Sequence, residues 1–412
     1  MTKVATVSSF RVGGSSTARK NSEDAASVKL VIEGEIPTTH IIGRLVREAI
    51  GKEGTVEQML VPEFLPSRLA GNALPLLIRV GDPGSRQMLK WMIRRGIPFL
   101  YYVDDNFWEL KGDSPLAQYY QAPEVRATLE LAIRNAHTVI VNSPLLGAYL
   151  SEHFDANVCV LHAPFDFSIL GDRCSRASHP GEVRIGFAGS VTRDRDFIEI
   201  IPALQRILAD FNEVSLYFFG YCPPVLRGVD RVYFFAHVDS YENFIRLKNE
   251  SALDIGLAPM ANTSSNLYKT NNKYREYGAL HVAGVYSDSS PYRESIRSGE
   301  NGLLVPMQAD KWYDAIALLV RDPQLRQCLA DGAYMDVQEN YAQTVVAAQW
   351  RELLLQFAFE SPKPVLSPGV VAADTVAIRI GGWIAKTRLR VTLKLLRIRG
   401  WARRLIGGSH GD

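Results

Sequence analysis

The chain has 412 residues, with 46 Lys and Arg against 44 Asp and Glu and 47% apolar content. That length and apolarity allow two cores of ordinary size and exclude the disordered and fibrous classes. The formal charge of +2 is unevenly spread: after residue 370 nine basic residues stand against two acidic ones, while the preceding chain carries 37 basic and 42 acidic, so a slightly acidic body ends in a basic tail.

In chain order, residues 1–26 lack the apolar stretch of a signal peptide and carry Gly13, Gly14, Ser15 and Ser16, which predicts a flexible N-terminal arm. From residue 27, apolar runs at 28–32, 76–80, 99–103, 138–141 and 158–161 alternate with helical stretches at 40–50, 85–95, 123–135 and 144–153. Strands so continuously apolar, separated by helices, predict a parallel sheet covered on both faces over 27–164. Gly171, Asp172, Ser175, Ser178 and Pro180 interrupt the pattern, and 165–182 reads as a linker.

A second alternation runs through 183–187, 214–219, 232–235, 253–258, 282–286 and 302–305, then turns helical, which predicts a second α/β domain over 183–360. Pro362, Pro364 and Pro368 lead into a tail, so 361–412 reads as linker and basic amphipathic helix. Two doubly wound domains in tandem carry ligand crevices at the carboxyl ends of their strands, and the cleft between them is the expected site. Cys159, Cys174, Cys222 and Cys328 form neither a CxxC pair nor a disulfide framework, which suits a reducing, cytoplasmic setting. No run approaches the ~20 apolar residues needed to span a bilayer.

Residues 184–190 form a strand running into Gly189 and Ser190, with Arg193 and Arg195 just beyond. Glycine admits close backbone approach, and amides at a helix start favour phosphate. Many α/β proteins use such turns for packing alone. Residues 254–259 form a second strand ending at Pro259, then a loop with Lys269 leads to a helix carrying Lys273 and Glu276. Three residues apart, these two share a helical face. A lysine meets a diphosphate, and a carboxylate accepts from the vicinal hydroxyls of a ribose. A surface Lys–Glu pair is the plainer alternative.

The run 254–294 resembles the C-terminal domain of bacterial GT-B glycosyltransferases of the group 1 type, which build surface polysaccharides such as O-antigen. The variant pattern N-x-x-K-x-x-x-K-x-x-E-Y-x-A is matched by Asn266, Lys269, Lys273, Glu276, Tyr277 and Ala279, and 287–294 and 299–306 continue it. The resemblance covers most of 183–358. It implies a nucleoside diphosphate sugar donor, a ribose contact at Glu276, diphosphate contacts at Gly189, Ser190, Lys273 and Lys269 with Arg193 beside them, and base recognition around His237 to Asp239. It implies no metal and no cofactor beyond the donor. Tyr268 stands where the family carries a second glutamate, which leaves sugar contacts and stereochemistry open.

In the N-terminal half, Asp104 and Asp105 end a strand. Neighbouring side chains on an extended chain point to opposite faces, so one of them is expected to reach a substrate. A carboxylate there could accept the proton of an attacking hydroxyl; capping of the loop is the alternative. Thr38, Thr39 and His40 open the first helix and are candidate acceptor contacts, or helix caps. In the tail, Lys386, Arg390, Lys394 and Arg397 form one stripe, with Trp383, Val391, Leu395, Ile398, Trp401 and Leu405 beside it. Such a helix can lie at an anionic membrane surface or pack on the body.

The reading is therefore a metal-independent hexosyl- or deoxyhexosyltransferase acting on a glycan or polyprenol-linked acceptor. It would sit in the cytoplasm at the inner face of the membrane, with no nucleic-acid partner. A catalytically silent GT-B-like module is the alternative.

Overall fold

The computed structural model describes residues 4–6, 27–52, 54–69, 73–171, 181–189, 194–236, 238, 240–361 and 368–407, with 4–6 and 395–407 described by backbone alone. The chain divides into two compact units, Met1–His162 with Ala347–Asp412, and Ala163–Val346.

The first unit carries strands β1 (Val4–Thr6), β2 (Ser27–Ile32), β3 (Thr55–Leu60), β4 (Ala73–Ile78), β5 (Leu100–Tyr102), β6 (Thr138–Val141) and β7 (Val158–Val160), with helices α1 (Pro37–Ile50), α2 (Arg86–Arg94), α3 (Pro115–Gln121), α4 (Pro123–Asn135) and α5 (Pro144–Phe154). Every pairing is parallel, in the order β1-β7-β6-β5-β4-β2-β3. Without β1 this is a doubly wound order that reverses direction between β2 and β4, the place where such sheets open a crevice. Val4–Thr6 thus adds a strand to an edge, in a stretch expected to be flexible arm. β3 is the other edge strand, half-exposed and carrying Glu57 and Gln58, and its polar pattern hid it from the sequence reading. β4 stops at Ile78, short of the expected 76–80, because Arg79 turns to φ 52°.

The second unit carries strands β8 (Val183–Ala188), β9 (Val214–Phe219), β10 (Val232–Phe235), β11 (Ile255–Ala258), β12 (Ala283–Ser287) and β13 (Leu303–Val305). Its helices are α6 (Asp194–Phe197), α7 (Ile201–Asp210), α8 (Tyr241–Glu250), α9 (Asn272–Ala279), α10 (Ser290–Arg293), α11 (Ala309–Arg321) and α12 (Pro323–Tyr341). The parallel order β10-β9-β8-β11-β12-β13 is the 3-2-1-4-5-6 arrangement, with its reversal between β8 and β11. β9 and β11 are buried along their whole length, as strands with helices on both faces must be. The stretch read as linker begins inside this unit: Phe165 bridges Ala342, and Phe167–Leu170 forms a short helix. Residues 172–180 lie outside the described residues.

Helix α13 (Gln343–Glu360) begins in the second unit, and from Ala347 its residues belong to the first, so that unit claims the last part of the expected 183–360 span. Helix α14 (Pro368–Gly407) follows and packs on α2 and on the turn at Pro83–Ser85. The contact is specific. Asp374 accepts from Trp91 Nε1 at 2.6 Å and pairs with Arg95 at 2.8 Å, Ile378 and Leu389 are buried, and a Cβ on Gly382 would strike the Gly84 carbonyl. The tail is therefore a packed helix through this stretch. The side chains of Leu395, Arg397, Ile398, Trp401 and Leu405 lie outside those described.

Candidate functional site

In the second unit, the sheet reverses between β8 and β11, and Gly189, Lys269 and Lys273 lie on the segments that follow the carboxyl ends of these two strands. Gly189 directly follows β8, donating its N–H to Phe219 O at 3.0 Å. Gly220, at φ 79°, lets the turn after β9 press against Gly189, because any Cβ there would meet the Gly189 carbonyl. The loop beyond β11 is tied to the segment after β8 by buried Asp196, which accepts from Ala261 N at 2.8 Å. Asn266 holds the same loop through Ala261 O at 2.9 Å.

Helix α9 rises from that loop. Its start is clamped: buried Arg275 donates to Asn271 Oδ1 and to Pro164 O, and Asn271 donates to Ser295 Oγ at 2.7 Å. Lys273, half-buried in its first turn, places its ammonium 5.2 Å from the centre of the Phe187 ring on β8. Lys273 and the end of β8 are thus brought together, as a phosphate-binding arrangement needs. Lys269 and Tyr268 lie half-buried in the connecting loop. Ser190, Arg193 and His237 fall outside the described residues.

Glu276 is held differently from the expectation of an open carboxylate. It forms an ion pair with Lys248 of α8, whose side chain has no exposure, and receives Tyr241 Oη at 3.5 Å. The Lys248 ammonium also lies 4.6 Å from the Phe244 ring centre. Burial, then the Glu276 charge, raises the Tyr241 phenol well above its ordinary range. Lys248 was invisible to the sequence reading because a lysine on an amphipathic helix looks like a solvated one. A cavity of about 500 Å³, lined by Phe167, Lys248, Leu253, His281 and Tyr334, opens at the opposite, amino-terminal edge of β11 and β12.

In the first unit, the crevice at the β2/β4 reversal gathers a second group. Arg79, directly after β4, lies 3.3 Å from Asp104 and 3.4 Å from Asp105, both at the end of β5. Both carboxylates therefore face one guanidinium, where the expectation had one of them turned away. Thr38 donates to Asp104 Oδ2 at 2.9 Å, while Asp104 Oδ1 is buried without a hydrogen-bond donor. Burial raises the Asp104 carboxyl above its usual range, against the lowering effect of Arg79. The Arg79 guanidinium also stacks 5.0 Å from the Phe107 ring centre, which in turn stacks on Tyr120 at 3.9 Å.

Of the helix-opening residues, Thr39 is buried and stitches the start of α1, accepting from Ile36 N at 3.0 Å and donating to Ile36 O at 2.8 Å. Thr38 serves Asp104, and His40 is exposed. Two residues of this crevice escaped the sequence reading: Arg79, which looked like part of a strand, and Glu33, the first polar residue after β2. The Glu33 Oε1 accepts from Gly81 N at 2.8 Å and Asp82 N at 2.5 Å. Burial raises its carboxyl to about 7 despite those two donors. Among the described residues no group of three His, Cys, Asp or Glu is placed to hold a metal ion.

No protein-family model and no curated protein matches the sequence. Solved structures share its fold. Sucrose-phosphate synthase from Thermosynechococcus elongatus gives a TM-score of 0.60 over 81% of this chain and 99% of its own, at 17% identity. HepE from Anabaena, in complex with UDP and glucose, gives 0.57 over 80% and 99%, at 13% identity. A glycosyltransferase from Rickettsia africae gives 0.54 over 82% and 99%, at 10% identity. At such identities the likeness is one of fold, and this chain has the GT-B fold.

Proposed function

We propose that this chain transfers a hexosyl or deoxyhexosyl group from a nucleoside diphosphate sugar to a hydroxyl of a glycan or polyprenol-linked acceptor in surface-polysaccharide assembly. The observation that carries the reading is Lys273 lying over Phe187, which puts a cation against the last residues of β8, two before Gly189, at the sheet reversal of the second unit. In a GT-B fold that is where a diphosphate finds backbone amides and a positive charge. Lys273, Lys269 and Gly189 then stabilise the leaving diphosphate in place of a divalent ion, and Ser190 and Arg193, next in sequence, are proposed to join them. Glu276 takes the ribose and His237 the base.

Acceptor binding falls to Thr38 and His40 of the first unit, with Thr39 holding the helix that presents them, and Asp105 is the more exposed of the two candidate carboxylates. No helix of the described residues is long and apolar enough to cross a membrane. The membrane contact we propose is peripheral, at the cytoplasmic face, through the outer side of α14.

The test is a thermal-shift panel of UDP-, GDP-, dTDP- and CMP-sugars. HepE was solved with UDP and glucose, so UDP-glucose is the first donor to try. A ligand at a hundred times its Kd stabilises the folded state by about 2.7 kcal/mol; a panel with no stabilising member removes the reading.

A second reading, a catalytically silent module that binds a partner or polysaccharide, draws on two observations. Tyr268 replaces a family glutamate, and Glu276 is already paired with Lys248. A protein that binds no nucleotide would favour it.

A further inference from the structure

We propose that Glu33 is the group that takes the proton from the acceptor hydroxyl, acting from the sheet reversal of the first unit. The inference rests on the glycosyl-transfer reading above and assigns a residue that the carboxylates at 104 and 105 leave unassigned.

Glu33 directly follows β2 and Arg79 directly follows β4, the two strands between which the sheet order reverses. Crevices of such sheets open there. One carboxylate oxygen, Oε1, takes both backbone N–H groups of Gly81 and Asp82, which fixes the side chain. The side chain is half-buried, and both hydrogen bonds that fix it engage Oε1, which leaves the second oxygen for a substrate hydroxyl. A base needs that combination: one oxygen held, one oxygen presented.

Asp104 has the opposite arrangement. Its Oδ2 is taken by Thr38, its Oδ1 is buried, and Arg79 lies against it. A carboxylate in that state orients Arg79 and has no open face for a substrate. Asp105 is accessible, but it faces the same guanidinium at 3.4 Å.

The surroundings of Glu33 suit proton exchange near neutrality. Asp82 lies beside it, Lys386 of α14 reaches to 4.0 Å of Asp82, and the Tyr101, Tyr119 and Tyr120 phenols all feel the Glu33 charge. Burial, with the Asp82 charge acting in the same direction, outweighs the two backbone donors and Lys386 and brings the carboxyl to about 7, close to the pH at which a base both holds and releases a proton. In the step, the acceptor O–H passes its proton to Glu33 while the acceptor oxygen bonds to the anomeric carbon of the donor. The bond from that carbon to the diphosphate oxygen breaks, and the diphosphate leaves with the electron pair. Glu33 ends as a neutral acid and returns the proton to solvent.

The experiment uses the full chain, the donor selected by thermal shift, and water or octyl glucoside as the hydroxyl source, reading nucleoside diphosphate release from pH 5 to 9. Glu33→Gln keeps an oxygen for the two backbone donors, so the fold and the donor KM are expected to persist. The expected result is a 10²–10⁴-fold fall in kcat, the range for loss of a general base. The acid limb of the wild-type profile, centred near 7, disappears with it, and Glu33→Asp retains that limb at a reduced rate. A Glu33→Gln enzyme with wild-type kcat and profile overturns the proposal. So does a carbon-13 carboxyl signal, assigned by its absence in Glu33→Gln, that titrates in the ordinary glutamate range. A wild-type chain that binds and turns over no donor overturns the functional reading itself, an outcome distinct from either.

Discussion

The Lys248 ammonium has no solvent exposure, and its counter-ion is the Glu276 carboxylate, 28 residues away on a different helix. Two charges taken out of water together stabilise a fold weakly, whereas stranding one of them is costly. Glu276→Ala or Lys248→Met alone should therefore destabilise the protein by about 3–5 kcal/mol in urea unfolding, and the double variant Lys248→Met/Glu276→Leu should recover most of that. The double variant also tests the ribose contact proposed for Glu276. If it is folded and binds UDP with wild-type affinity in calorimetry, Glu276 is a structural counter-ion and not a nucleotide ligand.

Lys273 is the cleaner probe of the diphosphate. Its side chain lies over Phe187, whose ring stays packed against Phe197 and Tyr221 when the lysine is shortened. Lys273→Ala is expected to keep its Tm and to lose about 1.5–3 kcal/mol of UDP binding, roughly ten- to a hundredfold in Kd. If that charge takes the place of a divalent ion, as proposed, turnover survives excess EDTA; restoration of a lost activity by Mn²⁺ would move the mechanism to a metal-assisted one.

Arg79 is the cation shared by Asp104 and Asp105, in a backbone conformation that non-glycine residues rarely adopt. In the folded state burial already raises Asp104, and Arg79 opposes it. Arg79→Met removes the opposing influence, so Asp104 must either ionise unpaired or hold a proton. The variant should be destabilised by about 2–4 kcal/mol at pH 7.5. The deficit should shrink as pH falls and Asp104 protonates. A deficit that is the same at pH 5 would show that the guanidinium acts through packing on Phe107 rather than through its charge.

Glu33 gives a pH effect of its own. Its carboxyl is ordinary in the unfolded chain, near 4.5, and stands at about 7 in the fold. Between those values the folded state keeps a proton that the unfolded state has lost. Folding stability contributed by this group is therefore present below about 4.5 and falls as pH rises toward 7, by on the order of 3 kcal/mol in total. Glu33→Gln should flatten that slope, which urea unfolding at pH 5 and pH 7.5 measures directly.

What the sequence revealed, and what it hid, follows from which residues declare themselves locally. β9 reads as a strand because residues 214–219 are buried along both faces and must be apolar throughout. The α9 segment was readable because lysine and glutamate at helical spacing follow a strand and turn in sequence order. β3 was not, since an edge strand can carry Glu57, which pairs with Lys29 of β2 only after the sheet forms. Lys248 and Arg79 acquire their meaning from partners 28 and 25 residues away along the chain, and nothing near them in sequence marks one as buried or the other as turned to φ 52°. The packing of α14 was also hidden. Asp374 is one acidic residue in a basic tail until Trp91 and Arg95 are placed against it.

That packing changes what an experiment on the tail can mean. Cutting the chain after Pro368 removes the Asp374 hydrogen bonds and the buried side chains of Ile378 and Leu389, each apolar residue worth about 1.5–3 kcal/mol. Truncation should therefore lower the stability of the first unit, and loss of membrane binding by a truncated chain would be ambiguous. The other side of α14 offers a sharper test. Val376, Ile380, Trp383 and Val391 are all more than half exposed, with Trp383 at 69%, and Arg379, Arg388, Arg390 and Lys394 lie among them. Spacings of four, three and eight residues keep these apolar groups on one stripe. Such a face fits an anionic lipid surface, where burial supplies the part of the affinity that salt does not screen. Ile380→Ser/Trp383→Ser should leave Tm within a degree or two, because both side chains are more than half exposed. It should weaken sedimentation with anionic vesicles by about 3 kcal/mol or more, on the order of a hundredfold. A double variant that sediments with phosphatidylglycerol vesicles as well as the wild type would show that α14 is a structural strap and that any membrane contact lies elsewhere.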